Sequence, residues 1–237
     1  MKLAGLQKTT LLDYPGYLAA TVFTEGCNFR CPYCHNASLV LGPFRPGGIS
    51  EEDFFRFLSA RKGLLDGVCV SGGEPLLQHD IKRFLSKIKS MGFLVKLDTN
   101  GSFPERLKQL VACGLVDYVA MDIKNAPAKY ALTADTTEDV LPNIAESVSF
   151  LLSGPVEYEF RTTVVNGFHT EEDFAAIGAW IQGAKRYVLQ GFADSGDLIR
   201  PGLQGAVDRE QLILFAKAVR PYVPSVQIRG ETALSPS

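Results

Sequence analysis

The sequence predicts an α/β fold, a partial (βα)6 TIM-like barrel with parallel strands inside and helices outside. Three observations carry this. Short apolar, β-branched runs alternate with longer amphipathic segments about six times along the chain, the pattern of a parallel sheet covered by helices. No Pro/Gly/Ser linker interrupts the 237 residues, so residues 1–237 read as a single domain. Polar and glycine-rich clusters follow strand ends at residues 27–36, 72–75, 98–101 and 122–124. In parallel barrels such ends converge on one mouth, where the active site sits.

The elements follow in order. An N-terminal segment, residues 1–17, contains a turn built on Pro15-Gly16. The first strand covers 18–24 (LAATVFT), and a Gly- and Cys-rich loop covers 25–36. Ser50 is placed to cap a helix, with Glu51, Glu52 and Asp53 favouring its positive end. Strand 68–71 ends in Gly72-Gly73, and a helix over 81–91 follows. Next come strand 94–98, the Asn100-Gly101 turn and a helix over 104–113. Strand 118–123 precedes a helix over 138–152, and a longer strand covers 156–165. Thr170 caps a helix over 171–181. The chain closes with strand 187–189, helix 209–219 and a short strand 226–229.

Composition narrows the function. Hydrophobic residues make up 46% and charged residues 21%, which places the chain among globular proteins. Only Leu234-Ser235-Pro236-Ser237 reads as a disordered tail. A net charge of −2 provides no global basic field, so nucleic acid is not expected as a partner. No apolar run approaches the roughly 20 residues that span a bilayer. The start, Met1-Lys2-Leu3-Ala4-Gly5, lacks the features of a signal peptide. A cytoplasmic protein without a membrane partner is the expectation.

The five cysteines are an odd number, and three fall within eight residues. That argues against a secreted disulfide framework and for metal or redox chemistry. Cys27, Cys31 and Cys34 have the spacing C-x3-C-x2-C. Thiolates are soft ligands that suit iron–sulfur clusters or zinc. A closed zinc site needs four ligands, and His35, adjacent to Cys34, is awkwardly placed to be the fourth. A 4Fe–4S cluster held by three cysteines leaves one iron open to a cofactor. Zinc and inert buried thiols remain alternatives on spacing alone.

With Tyr33 as the aromatic, the pattern C-x3-C-x-aromatic-C resembles the signature of the radical S-adenosylmethionine superfamily. The resemblance implies that Cys27, Cys31 and Cys34 bind the cluster and that the open iron chelates the cofactor's methionine. It also implies that Tyr33 packs near the adenine. A flavodoxin or ferredoxin would supply the electron that breaks the S–C5′ bond, giving methionine and a 5′-deoxyadenosyl radical.

Other segments add to it. Ser71-Gly72-Gly73-Glu74-Pro75 follows a strand, where glycines let backbone approach a ligand and Glu74 can pair with an ammonium group. It resembles the family element that binds the cofactor's amino group. Asp98-Thr99-Asn100-Gly101 and Met121-Asp122-Ile123-Lys124, routine loops by themselves, resemble segments of glycyl-radical-enzyme activases such as pyruvate formate-lyase activating enzyme. This implies cofactor contacts from Thr99, Asn100, Asp122 and Lys124. It also implies a monovalent cation site at Asp98, Thr99, Met121 and Asp122, a reasonable set for a hard cation. Arg161, on a strand, needs an ionic partner or a solvated cavity, and in the activases it lies beside cofactor and substrate.

The start of the chain carries Asp13-Tyr14-Pro15-Gly16, which resembles the activase segment that binds the partner's glycine loop. With Cys31-Pro32-Tyr33-Cys34-His35-Asn36, it is most similar to activating proteins of anaerobic ribonucleotide reductase. Asp13, His35 and Arg161 are therefore the expected substrate-side residues, and a glycyl radical enzyme is the expected partner. Two other readings are a radical enzyme acting on a small molecule or peptide, and a non-catalytic zinc or Fe–S regulator. Cys69 and Cys113 match nothing and read as buried thiols. Five cysteines are too few for further clusters, so one is expected.

Overall fold

A computed structural model describes residues 1–42, 48–194, 196–203 and 205–229. The tail from Leu234 to Ser237 lies outside the described residues. Eight strands form one sheet in sequential order: β1 (Leu3–Thr10), β2 (Ala19–Thr24), β3 (Gly67–Gly72), β4 (Leu94–Thr99), β5 (Tyr118–Asp122), β6 (Glu157–Val164), β7 (Tyr187–Gly191) and β8 (Val226–Ile228). β1 runs antiparallel to β2, and β2 to β8 are all parallel. β1 and β8 do not pair, so the sheet is not closed. The six crossovers between β2 and β8 make a partial (βα)6 barrel with one closing strand.

Three of the longer helices begin where a side chain supplies the cap. Ser50 Oγ accepts from the Asp53 N–H at 3.0 Å at the start of a helix over Glu51–Ser59. Thr170 and Asp173 form a reciprocal capping box ahead of Glu171–Trp180. Asp208 Oδ1 accepts from the Gln211 N–H at 2.7 Å before Arg209–Val219. The remaining long helices are Ile81–Ser90, Pro104–Ala112 and Leu141–Leu152. Among the described residues no helix is long and apolar enough to cross a membrane.

Three local expectations need correction. The N-terminal segment does carry the turn, with the Tyr17 N–H donating to Tyr14 O at 3.1 Å, but an eight-residue strand, β1, precedes it. Gln7, Lys8 and Thr9 of β1 are exposed, so no clean apolar alternation marks it in the sequence. The helix expected from 138 starts at Leu141, where Pro142 occupies the first turn. Cys113, expected to be buried, is exposed just past Pro104–Ala112, whereas Cys69 is fully buried on β3. Short helices at Ala37–Leu41 and Tyr130–Ala134 lie within loops.

The apolar core lies between the sheet and the helices. Val68, Val70, Val95, Leu97, Val119 and Phe160 project to that side and join Phe54, Phe84, Leu85 and Ile88. Residues of the opposite strand parity, including Thr21, Ser71, Asp98, Asp122, Arg161 and Gln190, face a cavity inside the barrel. Barrel interiors are commonly filled by branched apolar side chains. Here charged side chains occupy that space.

Candidate active site

Backbone hydrogen bonds hold the cysteine loop against the end of β3. The Gly73 N–H donates to Thr24 O at 3.0 Å and the Glu74 N–H to Gly26 O at 2.8 Å. A Cβ on Gly73 would lie 1.9 Å from Gly26 O, and Gly72, at φ +121°, would place one 2.2 Å from Thr24 N. Only paired glycines let the two chains approach so closely. The loop is supported on two further sides. The Arg30 N–H donates to Ala134 O at 3.0 Å, and the Arg200 N–H donates to Pro32 O at 2.9 Å.

Cys27, Cys31 and Cys34 all line the same cavity, of about 380 Å³. None forms a disulfide. Burial pushes the Cys27 thiol up to about 11 and the Cys31 thiol up to about 12, and raises that of Cys34 as well. Metal-free, these groups are protonated, and ligation releases their protons. Among the described residues, no three His, Cys, Asp or Glu side chains converge tightly enough to hold a single metal ion. A zinc ion would need such convergence, whereas a cluster offers a separate iron to each thiolate. The soft donor set fits a cluster.

Tyr33 also lines the cavity, and its fully buried hydroxyl has no hydrogen-bond partner among the described residues. Burial keeps that phenol protonated, and Phe168 meets its ring edge-on at 5.6 Å. An orphaned buried hydroxyl costs about 1–3 kcal/mol unless a polar ligand satisfies it. His35 lines the same wall, its pKa lowered first by burial and then by the Lys124 charge.

The charged wall comes from β4, β5 and β6. Asp122 accepts from Arg161 Nε at 2.8 Å on Oδ1 and from Lys124 Nζ at 2.8 Å on Oδ2. Burial works against its ionisation, but the Arg161 and Lys124 charges hold its carboxyl well below the usual range. Asp98 pairs with Lys96 and accepts from Ser71 Oγ at 3.1 Å, with Arg161 Nη1 at 3.5 Å. Three cations thus face two carboxylates. Lys124 and Arg161, both at the cavity wall, suit an anionic group such as a carboxylate.

The structure brings together most of the residues singled out from the sequence. Gly72, Gly73, Asp98, Thr99, Asn100, Asp122, Lys124, Arg161, His35 and Asp13 all line the cavity. Asp13 is held by Thr21 Oγ1, which donates to its Oδ2 at 2.6 Å. Glu74 is different. It is fully buried, and its carboxylate accepts from the Leu76 N–H (3.0 Å), Thr99 Oγ1 (2.8 Å) and the Asn100 N–H (2.7 Å). Its oxygens staple the ends of β3 and β4 together rather than facing the cavity, and Pro75 is buried beside it. Thr99 and Met121 are register partners, but Met121 is fully buried with its side chain against Gly101. Asp98 and Asp122 carry cationic side chains as partners.

Sequence reasoning missed Gln7, Phe23, Ser71, Thr163, Gln190 and Arg229, which line the cavity too. Gln7 was hidden with β1. Gln190 Oε1 accepts from Arg229 Nη1 at 3.2 Å, a contact between two strands 39 residues apart. Strand parity within β6 and β7 was the available signal for Thr163 and Gln190.

The sequence matches the radical SAM superfamily over residues 21–153. It is 32% identical over 234 residues, 95% of either chain, to a protein of Methanocaldococcus jannaschii whose name provisionally makes it a glycyl-radical enzyme activating enzyme. It is 39% identical over 98 residues to a Halobacterium salinarum protein provisionally named a GTP 3′,8-cyclase, spanning 39% of this chain and 27% of that one. The fold superimposes on Streptococcus suis SuiB bound to S-adenosylmethionine with a TM-score of 0.69 at 12% identity, covering 87% of this chain and about half (49%) of that one. Matched in sequence across its cysteine loop and glycine pair, and in fold to a barrel of the same kind, the chain belongs to the radical SAM superfamily, whose enzymes use a 4Fe–4S cluster and S-adenosylmethionine.

Proposed function

We propose that this enzyme is an activase: it removes a hydrogen atom from a glycine of a partner glycyl radical enzyme, with anaerobic ribonucleotide reductase as the leading partner. The observation that carries the reading is the 32% identity to the Methanocaldococcus jannaschii activating enzyme across 95% of both chains. The match runs over nearly the whole of both chains and so extends beyond the cofactor half. When bound, the cluster and S-adenosylmethionine supply a 5′-deoxyadenosyl radical.

The chain's own residues do the rest. Cys27, Cys31 and Cys34 hold the cluster. Lys124 and Arg161 would attract the cofactor's carboxylate, and the backbone carbonyls at Gly72 and Gly73 would meet its ammonium end. The Tyr33 ring would pack near the adenine. Burial of this wall excludes water from a reactive species. Asp13, His35 and Arg161 face the substrate. β1 and β8 do not pair, and a barrel left unclosed there suits a substrate that is a loop of another protein. A monovalent cation at Asp98, Thr99, Met121 and Asp122 would compete with Lys96, Lys124 and Arg161 for the same carboxylates. A cytoplasmic flavodoxin or ferredoxin is the proposed reductant.

A second reading is a small-molecule or peptide substrate. The cyclase relative favours it, but its match spans only 39% of this chain. The test is anaerobic. Cluster-loaded enzyme, reductant, S-adenosylmethionine and the host's anaerobic ribonucleotide reductase are combined, and an electron paramagnetic resonance spectrum is recorded with 5′-deoxyadenosine assayed on the same sample. A glycyl doublet supports the activase. Cofactor cleavage without a doublet overturns ribonucleotide reductase as the partner, and no doublet with any glycyl radical enzyme of the host overturns the activase in favour of the second reading.

A further inference from the structure

The Asn100 side chain is buried at the end of β4, one residue beyond the strand. Its Oδ1 accepts from the Ser102 N–H at 2.9 Å and from Ser102 Oγ at 2.6 Å. A backbone N–H can only donate, so the amide cannot be turned over without setting two donors face to face. Nδ2 is therefore fixed on the other side. There it donates to Asn28 Oδ1 at 2.9 Å and lies 3.9 Å from Cys27 Sγ. Asn28 Nδ2 donates to Ser102 Oγ at 2.9 Å, which closes a ring through Asn28, Asn100 and Ser102. Each bond in such a ring strengthens the next.

Cys27 is thus the ligand best supplied with donors. Its sulfur also accepts from the Phe29 N–H at 3.4 Å. The Cys31 sulfur, by contrast, faces Ala134 O at 3.8 Å, an acceptor with no proton to offer a thiolate. The Asn100 backbone is held in place by Glu74, so the donor is positioned before any cluster is bound.

We infer that Asn100 donates an N–H···S hydrogen bond to the cluster ligand Cys27 and so raises the cluster's reduction potential. The inference rests on the reading of Cys27 as a cluster ligand. The physical basis is charge. A cluster with three thiolates gains one negative unit on reduction, and part of it falls on the sulfurs. Donors aimed at those sulfurs favour the reduced state and ease its formation by a weak biological reductant. Asn100 is in this sense a positioning and tuning residue, distinct from one that touches the cofactor.

The test compares wild type with Asn100→Leu, Asn100→Asp and Ser102→Ala. Each is reconstituted anaerobically, and the reduced-cluster signal is titrated against potential by electron paramagnetic resonance, without S-adenosylmethionine. Iron content and thermal unfolding are measured on the same samples. At full iron content the midpoint becomes more negative in all three. Asn100→Asp, which turns an oxygen toward the sulfur, shifts it most. Asn100→Leu lowers the reduction equilibrium about tenfold, about 59 mV for one electron. Ser102→Ala frees the amide and gives a smaller shift. Unchanged potentials in iron-replete Asn100 variants, with or without a fall in thermal stability, leave a merely structural role and overturn the proposal. If Asn100→Leu fails to retain iron, an unshifted Ser102→Ala at full iron overturns it alone. A wild type that takes up no iron overturns the cluster reading and this inference with it.

Discussion

Thr99 Oγ1 donates a 2.8 Å hydrogen bond to Glu74 Oε1, tying the end of β4 to the glycine-rich end of β3. Glu74 Oε2 accepts from the neighbouring Asn100 N–H at 2.7 Å. Leu76, Thr99 and Asn100 all donate to this carboxylate, so an amide in its place sets an NH2 group against at least one of them. Glu74→Gln is expected to lower unfolding stability by about 1–3 kcal/mol, the cost of an unsatisfied buried donor. It also loosens the cavity wall and weakens S-adenosylmethionine binding. Urea denaturation decides the matter, and a variant as stable as wild type would show that the carboxylate is not the staple described.

The three clustered cysteines and the two isolated ones should separate cleanly. Cys31→Ala is expected to abolish iron retention, the visible absorption of the cluster and cofactor cleavage together. Cys69→Ala and Cys113→Ala should retain all three, since one thiol is sealed against Lys96 and the other is exposed beyond a helix end. Iron analysis after anaerobic reconstitution checks this, and full iron in Cys31→Ala would displace the cluster from this loop.

Lys124 is the cation best placed to meet a carboxylate, since its Nζ lies 2.8 Å from Asp122 Oδ2 at the cavity wall. Lys124→Met removes a charge-assisted bond of about 1.5–3 kcal/mol, roughly ten- to a hundredfold in Kd for S-adenosylmethionine. Iron content is measured on the same samples, since the Lys124 charge favours ionisation of all three cysteines. Calorimetry on the cluster-loaded protein measures the effect. An unchanged Kd would move the carboxylate site elsewhere, with Arg161 the next candidate.

Much of this site was legible because its parts are local. The C-x3-C-x2-C spacing, the Gly-Gly pair and the strand-end positions of Asp98 and Asp122 depend on chain periodicity, and periodicity can be read in a sequence. What stayed hidden depends on partners far along the chain. Lys96 reads as an ordinary strand residue until β3 and β4 pair in register and bury it between Cys69 and Asp98. Glu74 reads as a group for an ammonium ligand until Thr99 and Asn100, 25 and 26 residues later, take up its oxygens. β1 escaped notice because one edge of it meets only β2 and its second half is polar and exposed. The ring through Asn28, Asn100 and Ser102 joins two loops with no sequence signal in common.

Two buried groups give stability slopes of opposite sign with pH, and His169 can be isolated from the other. Its Nδ1 accepts from the Val165 N–H at 3.1 Å, so the proton sits on Nε2 and is donated to Lys124 O at 2.9 Å. Burial, ahead of these bonds, pushes its pKa below the ordinary value of 6.5. The unfolded chain therefore binds a proton that the folded one refuses, and stability rises with pH. The contribution is complete above pH 6.5 and is lost as pH falls from there toward the folded pKa. Glu74 runs the other way. Burial pushes its carboxyl from 4.5 up to about 7, so its contribution is present below pH 4.5 and is lost as pH rises through 7. His169→Gln removes only the first slope. Between pH 7 and pH 5, wild type should lose more stability than the variant, measured by denaturant midpoints at each pH. Parallel curves would mean that His169 takes up its proton as readily folded as unfolded, which would overturn the burial effect described.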